Sequence, residues 1–395
     1  MTNENPFIID DDDRYSQMRL IGWWDQEKLS NAKVMVVGLG ALGNEVAKNL
    51  TLTGVGAIVG VDMDHIEDSN LTRSVLFRKT DNGKSKVEAA ASALYDLNPD
   101  TRFHAIHGNV MTEIGLGLVR DVDVVIGCLD NREARLWVNR MCWKVGTPWV
   151  DGGIQEVSGV VKVFVPPFSA CYECAMTEND YRMINLRYSC PLLKREDILE
   201  GKVPTAPTIS SMIAGLQTQE ALKLIHEMPV EEGVAMVFNG IANNFYKTKF
   251  QRKEDCLSHD VYGDLEKSGL STQSRIKEIF DFARTRVSGS GLSIQLDRDL
   301  VESIYCPACD EKEEVFLPLS VVGSSKAMCV KCKINRRPKL THSIDETSQL
   351  LERTASEVGI PAYDVVRVCS DSHEVFVELD EDQDQVMGHP YREER

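Results

Sequence analysis

The feature that most constrains the fold is a regular alternation of short apolar strands and amphipathic helices, which starts at Val34. Such βαβ alternation builds a mostly parallel sheet with helices on both faces. The first strand runs directly into the glycine-rich loop 38–43, GLGALG. We therefore predict an α/β fold with a Rossmann-like, doubly wound sheet. Predicted strands lie near 34–38, 57–62, 102–107, 123–127, 148–151 and 159–165, and predicted helices near 42–52, 84–96 and 132–145.

Length and charge limit the remaining possibilities. With 395 residues the chain exceeds one domain of usual size, so we expect a large and a smaller domain. A formal net charge of −17 argues against nucleic acid or an anionic membrane as the main partner, because both repel an acidic surface. We find no signal-peptide pattern and no apolar stretch that could span a bilayer, so we expect a cytoplasmic protein. Eleven cysteines in such a reducing compartment favour metal ligation over disulfides.

The pattern divides the chain into several predicted parts. Weak periodicity and several prolines over 169–205 predict a long crossing loop, and the run SGSG at 288–291 is typical of a linker. Near the C-terminus we expect a helix from Ser343 and a strand at 374–379. The predicted parts are an N-terminal extension 1–30, an α/β domain 31–262, a linker 263–300 and a C-terminal domain 301–395.

The glycine-rich loop predicts a phosphate site, because glycines let the backbone approach a phosphate and point a helix N-terminus at it. Asp62 follows Gly38 by 24 residues and ends the second strand, where a carboxylate can accept hydrogen bonds from a ribose. These two features equally suit a dinucleotide-binding dehydrogenase.

Later residues favour a triphosphate. Asn70 and Arg73 follow the second strand, and Lys86 opens the next helix. Two cations facing one crevice fit a triphosphate, whose transferring group develops negative charge. Asp130 follows the apolar strand 122–126 and offers a carboxylate for Mg²⁺. The ordered combination therefore predicts an ATP–Mg²⁺ site.

These motifs together resemble the adenylation domain of ubiquitin-activating enzymes and their bacterial ThiF-type relatives, over about 13–259. The resemblance implies ATP, Mg²⁺ and adenylation of the C-terminal glycine of a ubiquitin-like protein. It implies that Asp62 binds the ribose and that Asp130 holds the metal. The implied nucleotide-binding residues are Gly38, Gly40, Gly43, Asp62, Asn70, Arg73, Lys86, Asp130 and Asn131, of which Arg73, Lys86 and Asp130 would also be catalytic.

Two positions depart from the family pattern. Ser74 follows Arg73 where family members often have a glutamine. Gln17 stands where relatives place an arginine that reaches the nucleotide of the partner subunit. Arg14 or Arg19 could substitute for that arginine.

Two pairs of cysteines near the C-terminus have the spacing of a zinc ribbon. Cys306 and Cys309 are separated from Cys329 and Cys332 by 19 residues. A small domain with little core needs a metal staple, so we expect a closed structural Zn²⁺ site.

The resemblance implies another Zn²⁺ site, earlier in the chain, which joins the start of the crossing loop to the end of the α/β domain. Cys171 and Cys174 occupy the first place. Cys256 and His259 occupy the second, where relatives have another pair of cysteines. Three cysteines and one histidine are an accepted zinc set. The alternative is a group of buried free cysteines with a surface histidine.

Cys190 is the candidate nucleophile among the remaining cysteines. It lies in the crossing loop, where ubiquitin-activating relatives carry the cysteine that forms a thioester. The thiolate is the reactive form, and Arg187, Lys194 and Arg195 could lower its pKa. The alternative is an incidental loop cysteine.

The predicted function is activation of a ubiquitin-like protein. Adenylation would be followed by a thioester on Cys190 and by transfer to a conjugating enzyme. We also expect a homodimer, a bacterial ubiquitin-like conjugation pathway and a role in antiviral defence. The alternatives are a sulphur-carrier adenylyltransferase of the molybdopterin or thiamin type, which stops at the adenylate, and an inactive scaffold paired with an active subunit.

Overall fold

The computed structural model of the protein describes residues 13–189, 204–319, 322, 326–380, 386–387 and 390–391. Cys190, Lys194 and Arg195 lie outside the described residues, as does the side chain of Arg187. Within the described part of the chain, no helix is both long enough and apolar enough to cross a membrane.

A mixed sheet of eight strands carries the first part of the chain. Its strands are β1 (Lys33–Val37), β2 (Ala57–Asp62), β3 (Arg102–His107), β4 (Val124–Gly127), β5 (Trp149–Gln155), β6 (Ser158–Phe164), β7 (Val234–Asn239) and β8 (Asn244–Lys249). They lie in the order β3-β2-β1-β4-β5-β6-β7-β8. The first five are parallel and the last three antiparallel to their neighbours. The winding reverses between β1 and β4, which is the topological switch point.

Helices cover both faces of this sheet, as doubly wound topology requires. They are α1 (Gln26–Asn31), α2 (Ala41–Thr53), α3 (Lys86–Leu97), α4 (Val110–Glu113), α5 (Leu116–Arg120), α6 (Arg132–Val145), α7 (Glu178–Ser189) and α8 (Pro207–Ile225). Successive strand residues point to opposite faces. Accordingly, Val34 and Val36 pack in one apolar core, and Met35 and Val37 in the other. The predicted α/β fold is confirmed, with element bounds that agree within a few residues for most of this sheet.

The predicted crossing loop 169–205 contains helix α7 (Glu178–Ser189), so this part of it is not a loop. The backbone N–H groups of Thr177 and Asp180 bond to each other's side chains, which caps the start of the helix. Glu178 in the first turn complements the helix dipole. Among the α7 side chains that the structure describes, only that of Ile184 is buried. Few core contacts explain why apolar periodicity did not predict the helix.

A second sheet of six strands forms the C-terminal part. Its strands are β9 (Leu265–Lys267), β10 (Ser293–Tyr305), β11 (Lys312–Pro318), β12 (Arg337–Asp345), β13 (Val365–Cys369) and β14 (Glu374–Glu378). They lie in the order β11-β10-β13-β14-β9, and β12 pairs with β10. The predicted strand at 374–379 is observed as β14.

The predicted linker 263–300 contains β9, helix α9 (Ile276–Arg284) and the first part of β10. The helix buries Ile276, Ile279, Phe280 and Ala283, which recur at helical spacing. Charged residues on its outer face gave this segment the composition of a linker. Residues 288–291 form only the turn between α9 and β10.

The predicted helix from Ser343 is wrong. Ser343 and Ile344 continue strand β12 and pair with Gln295 and Ile294 of β10. Ile344 is completely buried in the core of this sheet. Glu346, the expected capping residue, instead forms an ion pair with Arg284.

Candidate active site

The glycine-rich loop 38–43 joins β1 to α2 at the carboxyl edge of the parallel strands. Gly38 has a φ of +90°, and a Cβ there would lie 2.5 Å from the Cys128 carbonyl oxygen. A Cβ at Gly43 would collide with the Gly38 carbonyl oxygen. The fold itself therefore requires glycine at these two positions. A Cβ at Gly40 would meet nothing within 4 Å, so this glycine leaves open space in front of the α2 N-terminus.

Asn44 holds this loop in shape, although we did not predict a role for it. Its side-chain amide donates to the carbonyl oxygens of Leu39 at 2.7 Å and Gly40 at 3.1 Å. Its side-chain oxygen accepts from Leu76 N at 2.9 Å. Asn44 is completely buried. It therefore joins the loop to the segment that follows Arg73; a polar residue on the buried face of α2 was the available signal.

Asp62 ends β2 beside the glycine-rich loop. One carboxylate oxygen accepts from Leu39 N at 2.6 Å and the other from Asp64 N at 2.8 Å. Burial raises the pKa of Asp62, and the nearby Lys86 charge opposes that shift. The carboxylate thus fixes the loop relative to β2, and its contact with a ribose stays a prediction.

Lys86 begins α3, and the fold brings it next to Asp62. Its Nζ donates to Asp64 Oδ2 at 2.8 Å and lies 3.9 Å from Asp62 Oδ1. The Lys86 side chain is 11% exposed, whereas that of Asp64 is 51% exposed. The ammonium is therefore held at the edge of the crevice by a carboxylate that a ligand can reach. We did not predict this role of Asp64.

Asn70 and Arg73 lie in the turn after β2 and make local contacts. Asn70 Oδ1 accepts from Glu67 N at 3.1 Å, which caps a short 3₁₀ turn. Arg73 Nη1 donates to Ser69 O at 2.9 Å. Their proposed contacts with phosphates are not tested by these bonds and stay predictions.

Asp130 and Asn131 follow β4 on the other side of the switch point. Cys128 N donates to Val37 O at 2.8 Å, so this turn lies directly beside the start of the glycine-rich loop. Asp130 is exposed. Asn131 caps helix α6 by accepting from Ala134 N at 2.8 Å, and its amide donates to Asp130 Oδ1 at 3.2 Å. Asn131 therefore has a structural role that positions Asp130.

A network of buried charged residues, which we did not predict, stabilises the turn that contains Asp130. Asp151 is completely buried and accepts from Arg135 Nε and Lys162 Nζ, each at 2.9 Å. Arg135 also donates to the carbonyl oxygens of Leu129 at 2.5 Å and Gly152 at 3.0 Å. Removing one partner of a buried charge group leaves the other uncompensated. This group therefore fixes the backbone immediately before Asp130.

The candidate trans arginines lie at the opposite edge of the sheet. Arg14 donates to Leu97 O at the C-terminal end of α3, and Arg19 forms an ion pair with Asp13. The N-terminal end of α3, by contrast, carries Lys86 at the crevice. Neither arginine therefore reaches the crevice of its own chain, and a contact in trans stays a prediction.

The first predicted zinc set comes together. The ligand atoms of Cys171, Cys174, Cys256 and His259 all lie within 4.8 Å of one another. Cys171 Sγ is 3.7 Å from Cys174 Sγ and 3.5 Å from Cys256 Sγ, and His259 Nε2 is 3.4 Å from Cys174 Sγ. Zinc–sulfur bonds of about 2.3 Å give tetrahedral sulfur–sulfur edges of about 3.8 Å. These residues fit a zinc ion that clamps the segment before α7 to the end of the α/β domain.

The second predicted zinc set also comes together. The sulfurs of Cys306, Cys309, Cys329 and Cys332 lie within 4.8 Å of one another. Both pairs sit in similar turns: the residue after the second cysteine, Asp310 or Lys333, has positive φ and donates its N–H to the carbonyl of the first cysteine. Two matching turns with four thiols fit a closed structural zinc site.

A glycine-rich loop at the switch point, with a lysine at the start of a following helix, defines the class of Rossmann-type nucleotide-binding proteins. Within that class, the sequence model of the ThiF family matches residues 13–258, so the chain belongs to this family. The predicted ThiF-type resemblance is thereby confirmed.

Curated relatives are similar over about half of the chain or slightly more. Ubiquitin-like modifier-activating enzyme 5 of Dictyostelium discoideum is 33% identical over 245 residues, which cover 58% of this chain and 62% of that protein. The protein of the same name from Rattus norvegicus is 33% identical over 215 residues, 51% of each chain. The chain thus spans about half to three fifths of the length of these relatives.

Among solved structures, E. coli MccB with ATP superposes with a TM-score of 0.54 at 27% identity, covering 63% of this chain and 74% of MccB. E. coli MccB with AMPCPP and MccA gives the same TM-score and identity, covering 64% and 76%. The ThiF family match, residues 13–258, contains the whole eight-stranded sheet.

Proposed function

We propose that the protein uses ATP to adenylate the C-terminal carboxylate of a ubiquitin-like protein. The main support is the arrangement at the carboxyl edge of β2, β1 and β4. The parallel strands bring the glycine-rich loop, the Asp62–Lys86 pair and the Asp130 turn to that one edge. Membership of the ThiF family and relatives named ubiquitin-like modifier-activating enzymes favour this chemistry over hydride transfer.

The reaction needs positioning and charge stabilisation more than proton transfer. The ionised carboxylate of the tail attacks the α-phosphorus of ATP, and pyrophosphate leaves as the acyl-adenylate forms. A carboxylate is already ionised at neutral pH, so no general base is required. Lys86 and Arg73 would stabilise the negative charge on the phosphates, together with the N-terminus of α2. Asp130 would hold Mg²⁺, which neutralises phosphate charge when bound.

Exchange of labelled pyrophosphate into ATP tests this function. We expect exchange that depends on a ubiquitin-like protein with a free C-terminal glycine and that falls strongly in Asp130→Ala. If exchange stays at the background level with every such protein, in the wild type as well as in Asp130→Ala, the result would instead support an inactive scaffold.

Gly40→Val is expected to weaken ATP binding without unfolding the protein. The added side chain would occupy the open space in front of the α2 N-terminus, where a phosphate would approach, and it meets no atom of the fold at its Cβ. We expect a rise in the KM for ATP of at least about tenfold, the equivalent of roughly 1.4 kcal/mol. Steady-state exchange kinetics measure the effect, and the unfolding temperature should stay close to that of the wild type. Gly43→Val is the contrasting variant, because the collision with Gly38 should lower the unfolding temperature.

We further propose that Cys190 accepts the acyl group as a thioester, which a conjugating enzyme then receives. Support comes from its position in the crossing segment after the first zinc pair. A wild-type complex with the modifier should disappear with reductant on a denaturing gel and should be absent in Cys190→Ala, whereas Cys369→Ser should retain it. Adenylation without any thioester in the wild type would favour the sulphur-carrier alternative.

Several broader features belong to the same proposal. We also propose a homodimer, as in the related enzymes, together with a cytoplasmic location and a bacterial ubiquitin-like conjugation pathway with a role in antiviral defence. Zinc at both cysteine sets is supported by their geometry. The C-terminal domain would recruit the conjugating enzyme or the modifier.

A further inference from the structure

We propose that Arg298, a residue of the C-terminal domain, is a positioning residue that holds the 108–116 segment beside the nucleotide crevice. The inference rests on the proposed function, because it assigns this segment to the wall of the ATP site. It makes the C-terminal domain part of the adenylating machinery as well as a candidate docking module.

The backbone directs Arg298 out of its own sheet. The register between β10 and β12 shifts between Gln295 and Leu300, so Arg298 lies in an irregular part of strand β10. Such irregularities re-aim side chains and are common next to active sites. The Arg298 side chain is only 11% exposed. A buried guanidinium is costly unless its donors are bound, so its partners define its role.

Arg298 binds the C-terminal end of the short helix α4. Its Nε donates to Met111 O at 2.6 Å, and its Nη2 donates to Ile114 O at 3.0 Å. The last carbonyls of a helix have no partner within the helix and attract positive charge. A four-residue helix is too short to be stable alone. Arg298 therefore fixes the end of α4 from outside the α/β domain.

The third donor group of Arg298 binds Asp364, which in turn contacts the other end of the 108–116 segment. Nη1 forms an ion pair with buried Asp364 at 3.0 Å, and Asp364 accepts from Leu116 N at 2.8 Å. Leu116 begins α5, so the same pair also fixes the end of the segment. A Cβ at Gly115 would lie 2.4–2.5 Å from the carbonyl oxygens of Ala362 and Tyr363, which shows how closely the two backbones approach.

The 108–116 segment begins at the nucleotide edge. His107, the last residue of β3, is the register partner of Asp62, and Gly108 N donates to Asp62 O at 3.2 Å. Val110 and Ile114 pack in the same core as Val37, which immediately precedes the glycine-rich loop. A shift of α4 would therefore move the backbone next to Asp62 and loosen the packing under the loop.

Arg298 also contacts the helix that positions Asp130. Its guanidinium lies over the ring of Trp137 at 4.9 Å from the centroid. Trp137 is on α6, whose N-cap Asn131 bonds to Asp130. One side chain thus connects both sides of the switch point to the C-terminal domain.

A second ion pair at the same domain contact provides a matched control. Arg120 bonds to Glu378 of β14 at 2.7 and 3.0 Å and to the Tyr363 hydroxyl at 3.0 Å. Arg120 ends α5 just before β4, at the amino edge of the sheet. Losing it would weaken the contact between the domains without touching the 108–114 backbone.

The test compares Arg298→Gln, Arg298→Lys and Arg120→Gln in the full chain. Calorimetry measures the Kd for ATP with Mg²⁺, amide hydrogen exchange reports on 108–116, and thermal unfolding reports on stability. We expect Arg298→Gln to raise the Kd roughly 3- to 30-fold and to lose protection in 108–116. Arg298→Lys should be intermediate, because a single ammonium cannot reproduce the fork of donors. Arg120→Gln should have the wild-type Kd and the wild-type protection of 108–114, even if its unfolding temperature falls as much as that of Arg298→Gln.

Three outcomes would overturn the inference: wild-type affinity for ATP in Arg298→Gln, an equal loss of affinity in Arg120→Gln at matched stability, or unchanged protection of 108–116 in Arg298→Gln. Failure of the wild type to bind ATP would instead contradict the proposed function. In that case the amide hydrogen exchange of 108–116 still decides whether Arg298 holds this segment.

Discussion

Lys86→Met is expected to reduce pyrophosphate exchange by roughly 100- to 1,000-fold, the usual effect of removing one preorganised charge-stabilising group. Lys86 is the cation that the structure holds at the crevice, bonded to Asp64 at 2.8 Å and close to buried Asp62. Without its charge, the pKa of Asp62 should rise further, because burial already raises it and Lys86 opposes the shift. A more readily protonated Asp62 would be a poorer acceptor for a ribose as the pH falls.

Lys84→Met is the matched control for this experiment. Lys84 lies two residues earlier, has a side chain that is 59% exposed and pairs with Asp81 at 2.9 Å. A surface pair of this kind contributes little to stability. We expect Lys84→Met to keep exchange near the wild-type rate. Equal activity of Lys86→Met and Lys84→Met would show that Lys86 does not act on the nucleotide.

Loss of the first zinc set should produce the largest change in stability. Structural zinc binds zinc-finger peptides with an apparent free energy of about 10–16 kcal/mol, which is comparable to the usual stability of a domain, about 5–15 kcal/mol. Cys171→Ser should remove one zinc per chain and strongly lower the unfolding temperature. Cys171 is completely buried, so the defect lies inside the core that also contains Trp149 and Tyr172. Elemental analysis and thermal unfolding measure the two effects.

The other cysteines give the controls. Cys306→Ser should remove the second zinc and destabilise the C-terminal domain, and Cys369→Ser should retain both metals. A fully folded wild-type protein that contains no zinc and is unaffected by chelators would contradict both assignments.

The α/β domain could be predicted because local pattern and tertiary structure agree there. Strand β1 is apolar from Val34 to Val37, where it is buried on both faces, and the glycine-rich loop marks where this strand ends. Gly54 and Gly146 end α2 and α6 in the left-handed conformation, which only glycine adopts readily.

The C-terminal domain was harder because tertiary contacts override its local signals. Ser343 and Glu346 have the spacing of a helix cap, yet pairing of Ile344 with Ile294 buries an apolar side chain and keeps the chain extended. Burial of an isoleucine contributes about 1.5–3 kcal/mol, more than the usual contribution of about 1 kcal/mol from a cap.

The site residues that we predicted lie in recognisable sequence motifs. The residues that we did not predict act by binding backbone groups. Lys86 follows from its place after the second strand. Asn44 and Arg135 bind carbonyl oxygens that only the folded chain brings within reach. Sequence spacing alone does not encode such contacts, although a polar residue on an apolar helix face is a usable hint.

Direct detection of the acyl-adenylate is the most decisive measurement. The Cys190→Ala variant, with ATP, Mg²⁺ and a panel of ubiquitin-like proteins that end in glycine, should give a modifier whose mass increases by one adenylyl group at its C-terminus. The adduct should be absent with Lys86→Met in the same background and with a modifier whose terminal carboxylate is amidated. Failure to form an adduct with any member of the panel, together with tight binding of a dinucleotide in the same crevice, would contradict the adenylation account.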